Sequence, residues 1–474
     1  MRYRLAVILV LGAGWAAEPE PAQPVVVAAP GPLSAKAVVE DWPSFLGPRH
    51  DGVSRETPLN LRWDAAGPRL LWSIERGTGY ASPAVVTAQL GSAQGQPGSA
   101  QGQLVLTHRV GDVDVVECLD PENGARRWRK TFATDYQDRY GYNNGPRSSP
   151  VIAGDRVLCF SQTGVLRCLA LTDGATRWTR ELNRDHQVSQ GFFGVGTTPL
   201  VDGDLVIVNV GGSACVVGLD LASGATRWTT ADEWGASYAS PVPAVLGGQR
   251  RVLLFVGGES RPPTGGLLAI DPATGAKDLR FYWRSKSYES VNASCPVVIG
   301  DRVLVTASYQ TGSALVQAVA DGTVLSAKPV WTNPEAGCHF ATPIHLDGNL
   351  YGSIGRNHPD AELACIDLAT GALRWHEQPR WNEQVGGRDV VMSTFRAQFL
   401  RVDGHFLCLG EEGHLLCYDF TPTGMTELAR SWLFKAPESW TPPVLWHGLL
   451  YVCQNHAGRD GTKPRLLCYD LRGR

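Results

Sequence analysis

Three residues ahead of the proline in "ASPAVV", "SSPVIAG", "TTPLVDG", "ASPVPAV", "SCPVVIG", "ATPIHLDG" and "TPPVLWHG" stand Tyr80, Arg147, Gly196, Tyr238, Ala293, Phe340 and Trp440. Counting in the degenerate "MSTFRAQFLRVDG" puts Met392 in the same series. Aromatic rings and a guanidinium at equivalent positions could stack on a planar cofactor, a sugar or a peptide, with Arg147 pairing a carboxylate. Tyr142, Asn144 and Trp234 in the neighbouring segments add rings and an amide. Tyr140, Asn143, His186, Phe192, Glu289, Asn292, His339, Arg388 and Asp389 add further polar and aromatic chemistry. The same side chains could instead fill a channel mouth and brace one loop against the next.

No other familiar catalytic motif stands in the chain. There is no GxSxG elbow, HExxH, phosphate-binding loop, EF-hand loop or CxxC pair. The carboxylates Asp135, Asp138, Glu259, Glu289 and Asp389 have no spacing that singles out a metal set, and the histidines near "NHPD" are too scattered for one. A net charge of −3 without like-charge runs gives no footprint for nucleic acid.

These positions recur because the chain repeats. Each Ser/Thr-Pro step leads into apolar segments of four to seven residues bounded by Gly, Asp and Asn, such as "RVLCFS" and "VLRCLAL". Each unit contributes one tryptophan to the series Trp72, Trp128, Trp178, Trp228, Trp283, Trp331, Trp375 and Trp432. The period of about 50 residues lies in the range of propellers. Eight units and eight tryptophans predict an all-β fold, an eight-bladed β-propeller of four-stranded blades. Trp72 precedes the first complete unit and no tryptophan follows the last, so the N-terminal strand is expected to complete the last blade and close the ring. In "LDLASGATRWT", Asp220 and Gly224 make the turn and Trp228 is the large side chain that wedges between blades.

The unit resembles the pyrroloquinoline quinone (PQQ) repeat of quinoprotein dehydrogenases, which non-catalytic propellers share. The segments "DWPSFLGPRHDGVS", "YGYNNGPRSSPV", "VDGDLVIVNVGG" and "WGASYASPV" resemble exported bacterial PQQ-like propellers. The resemblance implies the ring and leaves two functions open. One is a non-catalytic binding or scaffold protein of the cell envelope, without cofactor, whose ligand is an envelope protein, a peptide or a glycan. This reading resembles in architecture the propeller lipoprotein that assists outer-membrane protein assembly. The other is a Ca2+- and PQQ-dependent oxidoreductase of the alcohol or sugar dehydrogenase type. The dehydrogenase pattern includes a Ca2+ site, an aspartate base and often a disulfide between adjacent cysteines. The chain has no Cys-Cys pair, and because no spacing among its loop carboxylates singles out a metal trio, the family's base is carried over to no residue.

Residues 1–17 read as an export signal, with Arg2 and Arg4 before an apolar run and a small-residue exit. Residues 18–40 are a Pro/Ala-rich linker and residues 41–474 the propeller. No cysteine precedes Cys118, so a soluble monomer of the periplasm or envelope is expected, not a lipoprotein and without a membrane span once the signal is removed. The segment 91–103 repeats a hexapeptide and reads as an insertion. Most of the eleven cysteines fall in strands. If the hairpin turns are Thr163-Gly164 and Glu412-Gly413, Cys159 faces Cys168 and Cys408 faces Cys417, as disulfides or as packed thiols.

Overall fold

In the computed structural model, which describes residues 21–89, 100–257, 263–288 and 290–473, eight antiparallel sheets form the ring. Blade one comprises Ala84–Gln89, Ala100–Val110, Val113–Leu119 and Arg126–Ala133. Blades two to seven follow at 151–181, 200–230, 242–282, 297–333, 344–377 and 398–432. Blade eight takes Val444–Trp446, Leu449–Cys453 and Arg465–Asp470 from one end of the chain and Arg69–Glu75 from the other. Arg69 pairs with Asp470, Trp72 with Cys468 and Glu75 with Arg465, so the expected closure holds. Between blades six and seven a two-stranded hairpin, Trp381–Val385 with Arg388–Met392, stands outside the repeat. No described helix is long and apolar enough to cross a membrane.

The apolar core lies in the seams between blades. Leu158, Leu166 and Cys168 of blade two pack against Val206, Val208 and Val217 of blade three, while Cys159 and Leu169 pack against Val105 and Val116 of blade one. Each sheet is thus buried on both faces, which explains why the middle strands read as continuous apolar runs. At the perimeter each indole N–H seeks a carbonyl. Trp72, Trp128, Trp178, Trp228, Trp331 and Trp375 donate to Pro121, Leu171, Leu221, Pro272, Leu368 and Thr421 of the following blade at 2.7–3.1 Å. Trp283 reaches Gly312 of blade five, and Trp432 bonds within its own blade to Glu412. Gly224 serves the tryptophan of the blade before it. Its φ is +71°, and a Cβ there would fall 2.8 Å from the Trp178 ring.

The Ser/Thr of each Ser/Thr-Pro step has a structural task at the inner radius. Ser82 N–H donates to Ser149 Oγ (3.1 Å), Ser149 N–H to Thr198 Oγ1 (3.1 Å) and Thr198 N–H to Ser240 Oγ (2.9 Å). Ser240 N–H then meets Cys295 Sγ (3.3 Å), and Cys295 N–H donates to Thr342 Oγ1 (3.1 Å). One residue per blade is both donor and acceptor, so a belt of hydrogen bonds runs from blade one to blade six.

The segment ahead of the first blade crosses this channel. Trp42 pairs with Val85 of blade one, Pro43 accepts from Ile152 N–H of blade two, and Leu46 packs on Val242 and Cys295 of blades four and five. Val53 and Ser54 then meet Arg401 of blade seven. Glu56 accepts from His447 and Gly448 N–H of blade eight at 2.7 and 2.6 Å.

Two expectations change. The turns are not two-residue turns: Cys159 pairs with Arg167 and Cys408 with Leu416, while Leu158 and Leu407 face Cys168 and Cys417. Gly164 (φ +81°) and Gly413 (φ +88°) close three-residue turns, and a one-residue slip in register sends the two cysteines of each hairpin to opposite faces. All eleven cysteines are buried free thiols, and burial pushes Cys159 and Cys417 up to about 12. The segment read as a linker is held in place where it is described, because Val25 and Val26 pair with Ser73 and Trp72 as a fifth strand of blade eight. The segment read as an export signal (1–17), residues 18–20 and most of the segment 91–103 read as an insertion lie outside the described residues.

Ser149→Ala leaves the buried Ser82 N–H without an acceptor and should lower stability by about 1–3 kcal/mol in denaturant titration. Cys295→Ser, which installs the hydroxyl that other blades use, should leave the midpoint unchanged or raise it. Thiol titration of the denatured chain without reductant should count all eleven cysteines as free.

Candidate functional site

The belt aims the residue two places before it at the ring axis, on the face that carries the blade-connecting loops. There Tyr80, Tyr142, Arg147, Tyr238, Phe340 and Trp440 line one cavity of about 190 Å3. Gly196, Ala293, Phe193, His339, Arg396 and Gln398 complete its walls, and Phe45, from the channel-crossing segment, closes its inner end.

The rings support one another. Tyr80 stacks on Trp440 with centroids 5.1 Å apart and planes at 26°. Trp440 touches Tyr142 and Phe340, both at 5.5 Å. Phe193 stands edge-on to Tyr142 at 5.6 Å and to Tyr238 at 5.5 Å. Two guanidiniums lie over these faces: Arg147 is 5.4 Å from the Tyr80 centroid, and Arg396 is 4.7 Å from that of Trp440. Such contacts are weak singly and fix geometry when repeated.

Each charged group at this mouth has an opposite partner, although Arg147 Nη1 is itself buried without a hydrogen bond. Arg147 donates to Asp138 at 2.8 Å, and the Asp138 side chain is 0% exposed. Asp138 also accepts from the backbone N–H of Tyr140 and Tyr142, which fixes the loop that delivers Tyr142. Arg396 forms a two-pronged pair with Glu411, whose other bond comes from the Trp440 indole at 2.9 Å. Glu438 receives the Tyr80 hydroxyl at 2.5 Å and pairs with His456 at 2.8 Å. Burial raises the Glu438 carboxyl, but the bonds from His456 and Tyr80 outweigh it and hold the group below its ordinary range. Burial and the neighbouring Glu438 hold the Tyr80 phenol well above its usual value, so it remains a donor. His339, bonded to the Tyr309 hydroxyl at 2.9 Å, is pushed down to about 3 by burial and then by Arg396 and Arg356, and stays neutral.

Three sequence expectations move. Trp234 is not at the mouth: it is buried between blades three and four, under Arg280. Asn144 braces its own loop through Asp138 N–H and Gln137. Met392 ends the outlying hairpin and packs in the core with Trp381 and Phe395. Blade seven lacks the proline that anchors the count, and the strand starting at Gln398 puts Arg396 at the mouth instead. Arg388 and Asp389 sit on the exposed hairpin, and Asn292 braces Val256 O. Glu259 and Glu289 lie outside the described residues. Sequence reasoning did not find Phe45, Phe193, Arg396, Glu411 or Glu438. Only Arg396 carried a signal, since it stands two residues before a strand, as the belt residues do.

Comparison with known proteins places this geometry. The family model PQQ_2, described as outer membrane protein assembly factor BamB, matches residues 111–377, more than half of the chain. No curated protein matches the sequence. The structure of BamB from Moraxella catarrhalis aligns over 86% of this chain and 99% of its own, at 17% identity and a TM-score of 0.53. Quinohemoprotein alcohol dehydrogenase from Comamonas testosteroni aligns over 93% and 82%, at 14% identity and a TM-score of 0.58. At these identities the two structures share the fold.

A histidine whose value is depressed in the folded state contributes stability that is present above its unfolded value of about 6.5. That contribution is lost as pH falls from about 6.5 toward the folded value, for His339 about 3. Unfolding titrations across this window should therefore show a shallower acid loss for His339→Gln than for the parent chain.

Proposed function

The chain belongs to the PQQ-repeat propeller family described as outer membrane protein assembly factor BamB, and on that footing we propose that it is an exported, non-catalytic binding propeller of the cell envelope that takes its ligand at the aromatic mouth. The observation that carries this reading is the internal matching of charge. Arg147 is held by Asp138, Arg396 by Glu411, and Glu438 lies between Tyr80 and His456.

Dehydrogenase chemistry makes opposite demands on such a site. PQQ carries several carboxylates and needs uncompensated cations, whereas both arginines here already answer buried carboxylates. A resident Ca2+ needs a converging set of carboxylate and amide oxygens. Among the described residues no three His, Cys, Asp or Glu side chains gather as metal ligands, and Asp138, Glu411 and Glu438 are each engaged elsewhere. The residues at the mouth do not fit the quinone and its metal, and no catalytic step is derived through them. The family description, which names an outer membrane protein assembly factor, supports the envelope as location and a protein or peptide as ligand, while a glycan rests on the aromatic lining of the mouth alone. The reading takes the chain as a soluble monomer.

Titration with PQQ and Ca2+, followed by quinone absorbance and by dye-linked oxidation of alcohols and sugars, tests this against the oxidoreductase alternative. Neither saturable binding nor turnover is expected. Stoichiometric quinone binding with turnover would overturn the proposal.

A further inference from the structure

We propose that the aromatic mouth and the cleft beside it form a binding site for an uncharged oligosaccharide, a specification that rests on reading the mouth as the ligand site. Tyr238 lines both the mouth and a second cavity of about 550 Å3 between the loops of blades two to four. This cleft has a different character. Its polar lining is mostly amides and hydroxyls, among them Asn183, Gln190, Thr197, Asn209 and Ser237, in a wall opened by Gly194, Gly211 and Gly212; two charges stand at it, Glu233, which is paired with Arg280, and the exposed Arg139.

Two polar atoms in that wall lack a partner. Thr197 Oγ1 and Asn183 Oδ1 are buried without a hydrogen bond, and Thr197 is 1% exposed. A buried hydroxyl and a buried amide oxygen left unpaired are costly in the free protein, and a ligand hydroxyl, both donor and acceptor, satisfies either one.

The neighbouring mouth narrows the class of ligand. Its rings are half-buried, so each presents part of a face to a concave space, and its arginines are matched by Asp138 and Glu411. A sugar ring has the complementary surface: an apolar face of C–H groups and a rim of hydroxyls without charge. One ring stacks in the mouth, and the following residues of the chain lie along the cleft. A peptide that adds as a strand requires a sheet edge. The cleft instead offers the loops 187–197 and 233–238 and strand ends. A polyanion would leave its charges facing guanidiniums already committed to buried carboxylates.

The test is calorimetric titration of the full chain with four neutral tetrasaccharides: β-1,4-glucan, β-1,3-glucan, α-1,4-glucan and β-1,4-linked N-acetylglucosamine. A neutral tetrapeptide containing tryptophan and PQQ are titrated alongside. At least one tetrasaccharide should bind saturably and more tightly than its disaccharide. Trp440→Ala should weaken it about tenfold through lost stacking. Thr197→Val should weaken it about fivefold through one lost hydrogen bond, without lowering the melting temperature, because it removes a hydroxyl unpaired in the free protein. If none of the four saturates a cooperatively melting protein, the saccharide proposal falls. Peptide or quinone binding that is lost in Trp440→Ala would overturn the saccharide class and keep the mouth as the site. Saccharide binding indifferent to Trp440→Ala and Thr197→Val would overturn the location.

Discussion

The hydrogen bond from the Ser, Thr or Cys N–H of one blade to the same residue of the next, repeated from blade one to blade six, sets the geometry on which the rest of the ring depends. A blade touches only its two neighbours, so the spacing of the circle comes from contacts at the seams, and this one recurs at five of them in a row. The residue before proline is suited to this. The proline that follows has no N–H of its own and starts the inner strand, while the hydroxyl and N–H ahead of it point sideways to the adjoining blades. With that residue pinned, the backbone two places earlier has little freedom, and Tyr80, Arg147, Tyr238 and Phe340 converge on the axis.

The belt stops at blade seven, and the break is informative. Arg396 stands where a hydroxyl would, after Phe395 at φ +49°, a region that bulky side chains rarely occupy. The seam to blade eight is held instead by Glu411, which binds Arg396 from one side and the Trp440 indole from the other. Glu412, next in the chain, accepts Arg459 Nη2 of blade eight with both carboxylate oxygens. A neutral seam has been exchanged for buried ion pairs, an exchange that seldom adds stability. What it adds is shape: the pair fixes the planes of Trp440 and Phe340 at the mouth.

The periodic part of this architecture was legible in the chain. Strand starts, turn glycines and the tryptophan series recur at fixed intervals, so the number of blades, the closure by Trp72 and five of the six candidates that line the mouth are legible by counting. Counting failed where the period failed. Met392 was placed at the mouth because blade seven has no proline and the hairpin 381–392 shifts the frame. The cysteine pairs failed for a subtler reason: a two-residue and a three-residue turn look alike in "SQTGVL", yet they differ by one place in register and so by a whole face of the sheet. Trp234 was aromatic and near the right loop, but its ring turned into the seam under Arg280. Glu411 and Glu438 are invisible for want of any pattern, since a carboxylate that answers Arg396, or Tyr80 and His456, from elsewhere in the chain leaves no local mark.

The channel-crossing segment makes the mouth one-ended. Because residues 42–54 bridge blades on both sides of the axis and Phe45 closes the inner end, a ligand can arrive only from the loop face. The rings it meets are already stacked on one another and their guanidiniums already paired, so little side-chain freedom remains to be lost on binding. A reacting site keeps groups whose charge or proton is free to move as bonds change. Here the phenol of Tyr80 is held protonated, His339 is held neutral, and the carboxylates are bound to fixed donors. Such a surface offers shape and stacking to whatever meets it, and that is what the proposed binding role asks of the mouth.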